Sequence, residues 1–259
     1  MPSSDAPAAG SKVRFGRRNV LLLAAAFVVI EWRVDRPLVR LSLLRSAPLV
    51  RANIAALLLF GCATVFNVVN TLYEQNVLGW SPLRTGLVFM AASITTGLIA
   101  PRVGAVATRI GPTCVILAGS LAMLGSYLVF LTTGTTTDYP IILTSLILMG
   151  AGFALAHPAL NIQALAGVAD REQGLASGLI GSSFQIGGAI VLAISTAATL
   201  AVTHPQADPE ATVTGLHAGM WVAVAGAALI ALIAVTALLT QRRQRSALSD
   251  CQVALDRPA

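Results

Sequence analysis

The chain contains 259 residues, of which 56% are hydrophobic and 11% are charged, and its formal net charge at pH 7 is +6. Soluble domains carry about 25% charged residues, and a chain this poor in charge could not cover the surface of a soluble fold. Disorder is excluded as well, because a disordered chain needs low hydrophobicity and high charge. The composition therefore predicts an all-α membrane protein that crosses the bilayer several times.

The N-terminal region is basic and holds one short apolar run. Residues 1–18 form a basic tail, and residues 19–48 are interpreted as a short apolar helix over 20–30 followed by a basic cytoplasmic linker. The run has 11 residues, which is too few to cross about 30 Å of hydrocarbon. We favour an interfacial or truncated helix. An uncleaved span extended at its edges and a signal peptide stay open as alternatives.

Six further apolar runs are long enough to span, since a crossing needs about 20 mostly apolar residues. Short segments rich in turn-forming residues, such as 79–82 and 204–209, separate them. The sequence thus predicts a six-helix bundle over residues 49–240 and a cytoplasmic tail over 241–259. The predicted spans lie at about 52–73, 86–107, 113–132, 140–160, 175–202 and 215–239.

Basic residues concentrate on alternate sides of these spans. They precede the first span and follow the second, fourth and sixth, whereas the other loops carry acidic residues, with Arg84 at the edge of one. Because cytoplasmic loops carry an excess of Lys and Arg, the pattern places the C-terminus in the cytoplasm of a cell-membrane protein. The residues concerned are Arg33, Arg36, Arg40, Arg45 and Arg51, then Arg102 and Arg109, then Arg171, and finally Arg242, Arg243, Arg245 and Arg257.

The first span carries a polar stripe formed by Thr64, Asn67, Asn70, Thr71 and Glu74. At about 100° per residue these side chains fall within about 120° of one helix face. Polar groups in hydrocarbon are costly and usually face a cavity or another helix. The stripe therefore predicts either the lining of a substrate path or hydrogen bonds between helices. Glu74, near the end of the span, is interpreted as a hydrated boundary residue, with a proton carrier as the alternative.

The fifth span carries small residues on or near one face. Gly174, Gly178, Gly181 and Gly188 are predicted to pack helices closely, because small residues let helix backbones approach one another. Gln185 lies among these glycines and is expected to find a partner inside the bundle, through packing or through contact with a substrate.

The fourth span ends in His157 and Pro158. Pro158 is expected to end or kink the helix, because proline lacks the backbone donor and clashes with the preceding turn. His157 is interpreted as an interfacial residue, and a proton relay is the alternative.

Several other functions are not expected. The three cysteines and three histidines show no metal-ligand spacing, so we expect neither a metal site nor a cofactor. The spans hold no paired acids of the kind an enzyme would use. The basic residues lie between apolar runs rather than in one patch, so a nucleic-acid partner is not expected either.

Four segments resemble one family of membrane transporters, the 14-helix drug:proton antiporters of the major facilitator superfamily. One is similar to the junction of the first two helices of their C-terminal half, and Glu31, Pro37, Leu38 and Leu41 resemble the stretch leading into that half. Another resembles a degenerate cytoplasmic loop motif, and the last resembles the penultimate helix. The junction matches at Tyr73, Gln75, Leu78–Gly79–Trp80–Ser81–Pro82–Leu83 and Gly86. The loop motif matches at Gly104, Arg109 and Gly111, and the penultimate helix matches at Gly174 to Leu179, Ser183, Gln185, Gly187, Gly188 and Ala189.

The resemblance implies a six-helix C-terminal half of a major facilitator fold plus a short N-terminal helix. It implies proton-driven export of hydrophobic or cationic compounds, with the stripe and Gln185 lining the cavity and Gly104, Arg109 and Gly111 shaping the cytoplasmic hinge. The implied partners are the lipid bilayer, a small-molecule substrate, protons, and an N-terminal half or a second copy. The alternative is a non-transporting membrane fragment or an assembly subunit.

The sequence departs from the family pattern at three positions. Thr108 stands where the loop motif usually has an acid, and Pro112 replaces a basic residue. Glu74 stands where the family usually has an apolar residue. The charged latch of the loop motif is therefore not expected to form in the usual way.

Overall fold

The structure is a computed structural model that describes residues 47–166, 168–203 and 208–255. The predicted basic tail, the short apolar run 20–30 and nearly all of the linker lie outside this part of the chain.

Six long α-helices make up the described chain, and each is long and apolar enough to cross a membrane. The predicted all-α class with six membrane-spanning helices is thereby confirmed. The helices are α1 (Ala47–Leu72), α2 (Pro82–Ile110), α3 (Pro112–Phe130), α4 (Tyr139–Leu165), α5 (Gln173–Val202) and α6 (Pro209–Leu255). A π-helical turn, Tyr73–Val77, continues α1, and a short 3-10 helix, Asp170–Glu172, precedes α5.

The boundaries of α2 follow from local chemistry at its two ends. Pro82 occupies its first turn, and the Ser81 hydroxyl accepts a hydrogen bond from the Arg84 backbone N–H at 3.3 Å. Proline suits this position because its missing donor would be unpaired there anyway. At the other end Gly111 adopts a φ of +88°, which glycine reaches without steric cost. The chain can therefore turn at once into α3, which begins at Pro112.

Two helices continue beyond the ends that the sequence predicts. The helix α4 runs through Pro158 to Leu165, so of the two effects expected of Pro158, an end or a kink, the first is wrong. Proline is tolerated inside membrane helices because neighbouring groups can pair the backbone atoms that it frees. The helix α6 has 47 residues and extends past the predicted end of the sixth span.

The helix α1 lies at the centre of the bundle, where it packs against α4, α5 and α6. The helix α4 also packs against α2 and α3. Aromatic rings connect α1 and its π-helical turn to α3. Phe66 lies 5.6 Å from Tyr127, and Tyr73 lies 5.5 Å from Phe130, measured between ring centroids. All four of these side chains are fully buried.

Several helices approach so closely that only glycine fits between them. A Cβ on Gly187 would overlap the Leu57 carbonyl, and one on Gly61 would lie 2.7 Å from the Gly187 carbonyl oxygen. These contacts join α1 to α5. A Cβ on Gly119 would lie 2.7 Å from the Gly152 carbonyl oxygen, which joins α3 to α4. Lipid tails are as apolar as leucine, so such close packing is a main source of helix association in a bilayer.

We predict that Gly187→Ala destabilises the bundle, because the new methyl group meets backbone atoms that cannot move aside. Overpacking of this kind costs about 1–3 kcal/mol. The matched control is Gly181→Ala in the same helix, where no described atom lies within 4 Å of the new Cβ. Thermal unfolding of the two variants in detergent measures the difference. Equal midpoints for both variants would contradict the packing described here.

Candidate functional site

A cavity of about 480 Å³ opens between α1, α2 and α4. This volume lies in the range of small-molecule pockets, about 300–1,000 Å³. The residues that line the cavity are Phe60, Ala63, Thr64 and Asn67 from α1; Phe89, Ala92, Ser93, Thr96 and Gly97 from α2; and Met149, Gly150 and Phe153 from α4.

Most of the polar groups in the cavity wall are paired within the protein. The Thr64 hydroxyl donates to the Phe60 carbonyl at 2.8 Å, and the Thr96 hydroxyl lies 2.9 Å from the Ala92 carbonyl and 3.0 Å from the Gly150 carbonyl. Asn67 is different: it is exposed, and its side-chain amide has no hydrogen-bond partner among the described residues. Asn67 therefore offers both a donor and an acceptor to a molecule in the cavity.

The rest of the wall is aromatic and apolar. Phe60 lies 6.4 Å from Phe153 and 5.8 Å from Phe184, and His157 is stacked between the rings of Phe153 and Phe184 at 5.1 Å and 4.7 Å. No charged side chain of the described chain lines the cavity. Aromatic faces bind flat apolar groups and also attract cations. The half-buried His157 is thus part of an aromatic cluster beside the cavity.

The polar stripe predicted along α1 divides into two groups. Thr64 and Asn67 line the cavity, whereas Asn70 and Glu74 are fully buried and lie outside it. The Asn70 amide donates to the Phe66 carbonyl at 3.2 Å. Glu74 is not the hydrated boundary residue expected from the sequence, because no part of its side chain reaches the surface.

The residues of α5 that the sequence analysis predicted to pack against other helices also differ in their surroundings. Gly188 is buried, and a Cβ there would lie 3.4 Å from the Phe60 ring and the Thr64 hydroxyl. In contrast, Cβ atoms on Gly174, Gly178 and Gly181 would meet no described atom within 4 Å, so their role in packing stays a prediction. Gln185 is exposed and does not line the cavity. The bundle partner expected for it is not found in the described chain, because α5 packs onto α1 through Gly187 and Gly188.

The loop-motif residues lie at the end of α2. Gly104 and Arg109 are exposed, and Gly111 ends the helix with its positive φ. The structure assigns a local role to Gly111 alone, and the role of all three residues as a cytoplasmic hinge stays a prediction.

Sequence reasoning missed most of the cavity wall. Phe89, Ser93 and Thr96 on α2 lie opposite Asn67, and Gly150 brings α4 against Ala92. The one signal available was the pair Thr95 and Thr96 in the middle of an apolar run. No local pattern shows which face of α2 meets α1.

Comparison with known proteins decides the family. The profile of the Major Facilitator Superfamily matches residues 20–192. The chain belongs to this superfamily. The resemblance to the superfamily stated from the sequence motifs is thereby confirmed, and the chain is a multi-pass membrane protein of a transporter family.

Curated relatives carry names that refer to drug resistance or export. The Mycobacterium tuberculosis "Multidrug resistance protein Stp" is 32% identical over 193 residues, which cover 72% of this chain and 36% of the relative. The Streptomyces alboniger "Puromycin resistance protein pur8" is 31% identical over 238 residues, covering 85% of this chain and 45% of the relative. The Streptomyces glaucescens "Tetracenomycin C resistance and export protein" is 27% identical over 199 residues. The chain thus spans less than half the length of these relatives.

We predict that a cysteine at position 67 reacts with a water-soluble maleimide and that one at position 70 does not. The test uses Asn67→Cys and Asn70→Cys in a background where Cys62, Cys114 and Cys251 are alanine, with the protein embedded in lipid vesicles. Asn67 is exposed at the cavity and Asn70 is fully buried one helical turn away, so the labelling rates measured by mass spectrometry should differ strongly. Equal labelling would show that the two groups of the stripe are not separated as described.

Proposed function

We propose that this chain is one six-helix half of a proton-coupled exporter of small hydrophobic or cationic compounds. The observation that carries the proposal is the cavity between α1, α2 and α4, which combines phenylalanine rings with uncharged polar groups. Such a wall holds apolar and aromatic compounds without demanding one hydrogen-bond pattern. The side chain proposed to contact the substrate is that of Asn67, because its amide is exposed and unpaired in the described chain.

The names of the relatives support a toxic compound as substrate. Puromycin resistance and tetracenomycin C export are stated for two of them. A cavity of about 480 Å³ in one half would form part of a larger site.

A second six-helix body is proposed to complete that site. Two of the helices bury little of their apolar part against the rest of the chain. The buried share is 11% for α2 and 22% for α5, compared with 56% for α1. The exposed surface of these two helices includes Ser93, Gly97, Ser182 and Gln185. Polar side chains are disfavoured against lipid and usually face protein or a water-filled cavity. The resemblance implies that this second body is an N-terminal half, and a second copy of this chain is the alternative.

Transport would then follow from rocking of the two bodies around the cavity. In transporters built from two such halves, the binding site lies near the middle of the bilayer between them and opens alternately to either side. The proposed direction is export, with protons entering as the compound leaves. The loop containing Arg109 and Gly111 would lie at the cytoplasmic side, as the distribution of arginine predicts.

A non-transporting membrane fragment or assembly subunit is the second candidate. The observation that favours it is that the chain covers 36% and 45% of two relatives. Drug susceptibility separates the two functions. Cells that produce this chain, alone or together with the product of the gene upstream, should tolerate more of an exported compound than cells without it. No difference in either setting would favour the second candidate.

We predict that Asn67→Leu lowers this resistance, because the variant removes the exposed amide from the cavity wall. A lost hydrogen bond worth about 0.5–1.5 kcal/mol weakens binding by roughly two- to tenfold. Asn76→Leu is the matched control, since Asn76 is exposed in the π-helical turn and does not line the cavity. Growth inhibition across a range of drug concentrations provides the measurement. If the two variants behaved alike, Asn67 would have no role in substrate contact.

We predict that the C-terminus lies in the cytoplasm and that the turn between α3 and α4 lies outside. Fluorescent-protein fusions after Leu255 should fluoresce, whereas alkaline phosphatase inserted at Thr135 should be active, because that enzyme needs the oxidising exterior to form its disulfides. The reverse result would overturn the orientation.

A further inference from the structure

Four buried polar side-chain atoms without a hydrogen-bond partner in the described chain lie near the end of α1. They are the Asn70 Oδ1, both carboxyl oxygens of Glu74, and the Thr85 Oγ1. Leaving a buried polar atom unpaired costs about 1–3 kcal/mol, and more if the group is charged. The Asn70 Oδ1 and the two carboxyl oxygens are acceptors, and the Thr85 hydroxyl supplies a single donor. The set is therefore a site that a proton or another cation would complete.

The backbone brings these residues together. Glu74 lies in the π-helical turn Tyr73–Val77, and the Trp80 N–H donates to the Glu74 carbonyl at 2.9 Å, which folds the connecting loop back over the turn. Thr85 follows in the first turn of α2, where it is a polar neighbour of the Glu74 carboxyl but makes no hydrogen bond of normal geometry to it. Asn70 precedes Glu74 by four residues and so lies on the same helix face. π-helical turns are frequent at functional sites.

The charged and titratable groups around Glu74 leave its carboxyl without an ion-pair partner in the described chain. On α2, Arg84 is the charged group that acts on Glu74, but it is exposed and its guanidinium lies 4.1 Å from the Trp80 ring centroid. On α6, His217 pairs with the Thr133 hydroxyl at 3.3 Å, and Glu210 is exposed at the helix start. On the π-helical turn itself, Tyr73 donates to the Gly134 carbonyl at 2.8 Å.

We propose that the Glu74 carboxyl is a proton-binding site, with Thr85 and Asn70 as its hydrogen-bond partners. A hydronium ion transfers its proton to one Glu74 oxygen, which breaks an O–H bond of the hydronium, forms the carboxylic O–H bond, and leaves neutral glutamic acid and a water molecule. The acid O–H then donates to the Asn70 Oδ1, and the Thr85 hydroxyl donates to the other Glu74 oxygen. One proton thus pairs all four atoms, whereas the ionised carboxylate leaves an uncompensated buried charge.

The site lies at the end of α1 that the arginine distribution predicts to face outwards, where an inward-moving proton would enter. The inference rests on the proposed function in this respect, since it names the residue that carries the driving proton. Glu74, Asn70 and Thr85 are separate from the cavity wall, so protonation would act on the α1–α2 junction rather than on the substrate directly.

Infrared difference spectroscopy of the full chain in lipid vesicles tests the site without any transport measurement. Spectra taken across a pH titration should contain a carboxylic-acid carbonyl band that shifts in D₂O. This band should be lost in Glu74→Gln and retained in Glu210→Gln, the control for an exposed acid. Persistence of the full band in a folded Glu74→Gln variant would overturn the proposal, as would a sodium-dependent change in place of the pH-dependent one.

A second variant keeps the test decisive if Glu74→Gln does not fold. Thr85→Val removes the hydroxyl donor and should shift the carbonyl band without removing it. An unshifted band would overturn the assignment of Thr85 as partner and of the band to Glu74. A retained Glu74 band in a chain that confers no drug resistance would leave the proton site standing and remove the proposed function. An unsubstituted chain without a Glu74 band, together with drug resistance that Glu74→Gln leaves unchanged, would remove the proton site and leave the proposed function standing.

Discussion

The close approach of helix backbones at glycine is the interaction on which the rest of the structure depends. Lipid supplies no hydrophobic force that would drive one apolar helix against another, so association relies on close packing and on hydrogen bonds between helices. Gly61 and Gly187 bring α1 against α5, and Gly119 and Gly152 bring α3 against α4. At Gly150, α4 meets Ala92 of α2 and accepts a hydrogen bond from Thr96 at 3.0 Å. The last of these crossings joins two of the three helices that line the cavity, α2 and α4.

The same packing determines which polar groups of α1 stay accessible. A helical wheel places Thr64, Asn67, Asn70 and Glu74 within one arc of about 120°, but it does not show how much of that arc a neighbouring helix covers. Asn70 lies at one edge of the arc and is covered, whereas Asn67 lies at its middle and stays exposed. Glu74 lies only about 20° from Asn67 on the wheel, yet it is covered, because it lies further along the chain in the π-helical turn. The result is two polar sites on one helix with different chemistry: an open amide at the cavity and a buried carboxyl beyond it.

The number and class of the helices could be predicted from the sequence because hydrocarbon thickness imposes a minimum length on each apolar run. Their ends were harder to predict, since Pro158 is accommodated within α4 and α6 continues past its apolar part. The glycines expected to pack were Gly174, Gly178, Gly181 and Gly188. Of these, Gly188 lies against α1, whereas helix backbones approach closely at Gly61, Gly150 and Gly187, which were not predicted to pack. Small size permits close approach, but only the arrangement of the neighbouring helices decides where it occurs.

In the transporter proposed here, α2 and α5 face a second protein body, and α1, α2 and α4 form one wall of a shared cavity. Photo-cross-linking in the native membrane tests this arrangement most directly, with a photoreactive residue in place of Ser93 on α2 or of Leu229 on α6, both of which are exposed. Position 93 should give a protein adduct, and position 229 should give lipid adducts alone. Lipid adducts alone from both positions would contradict this arrangement.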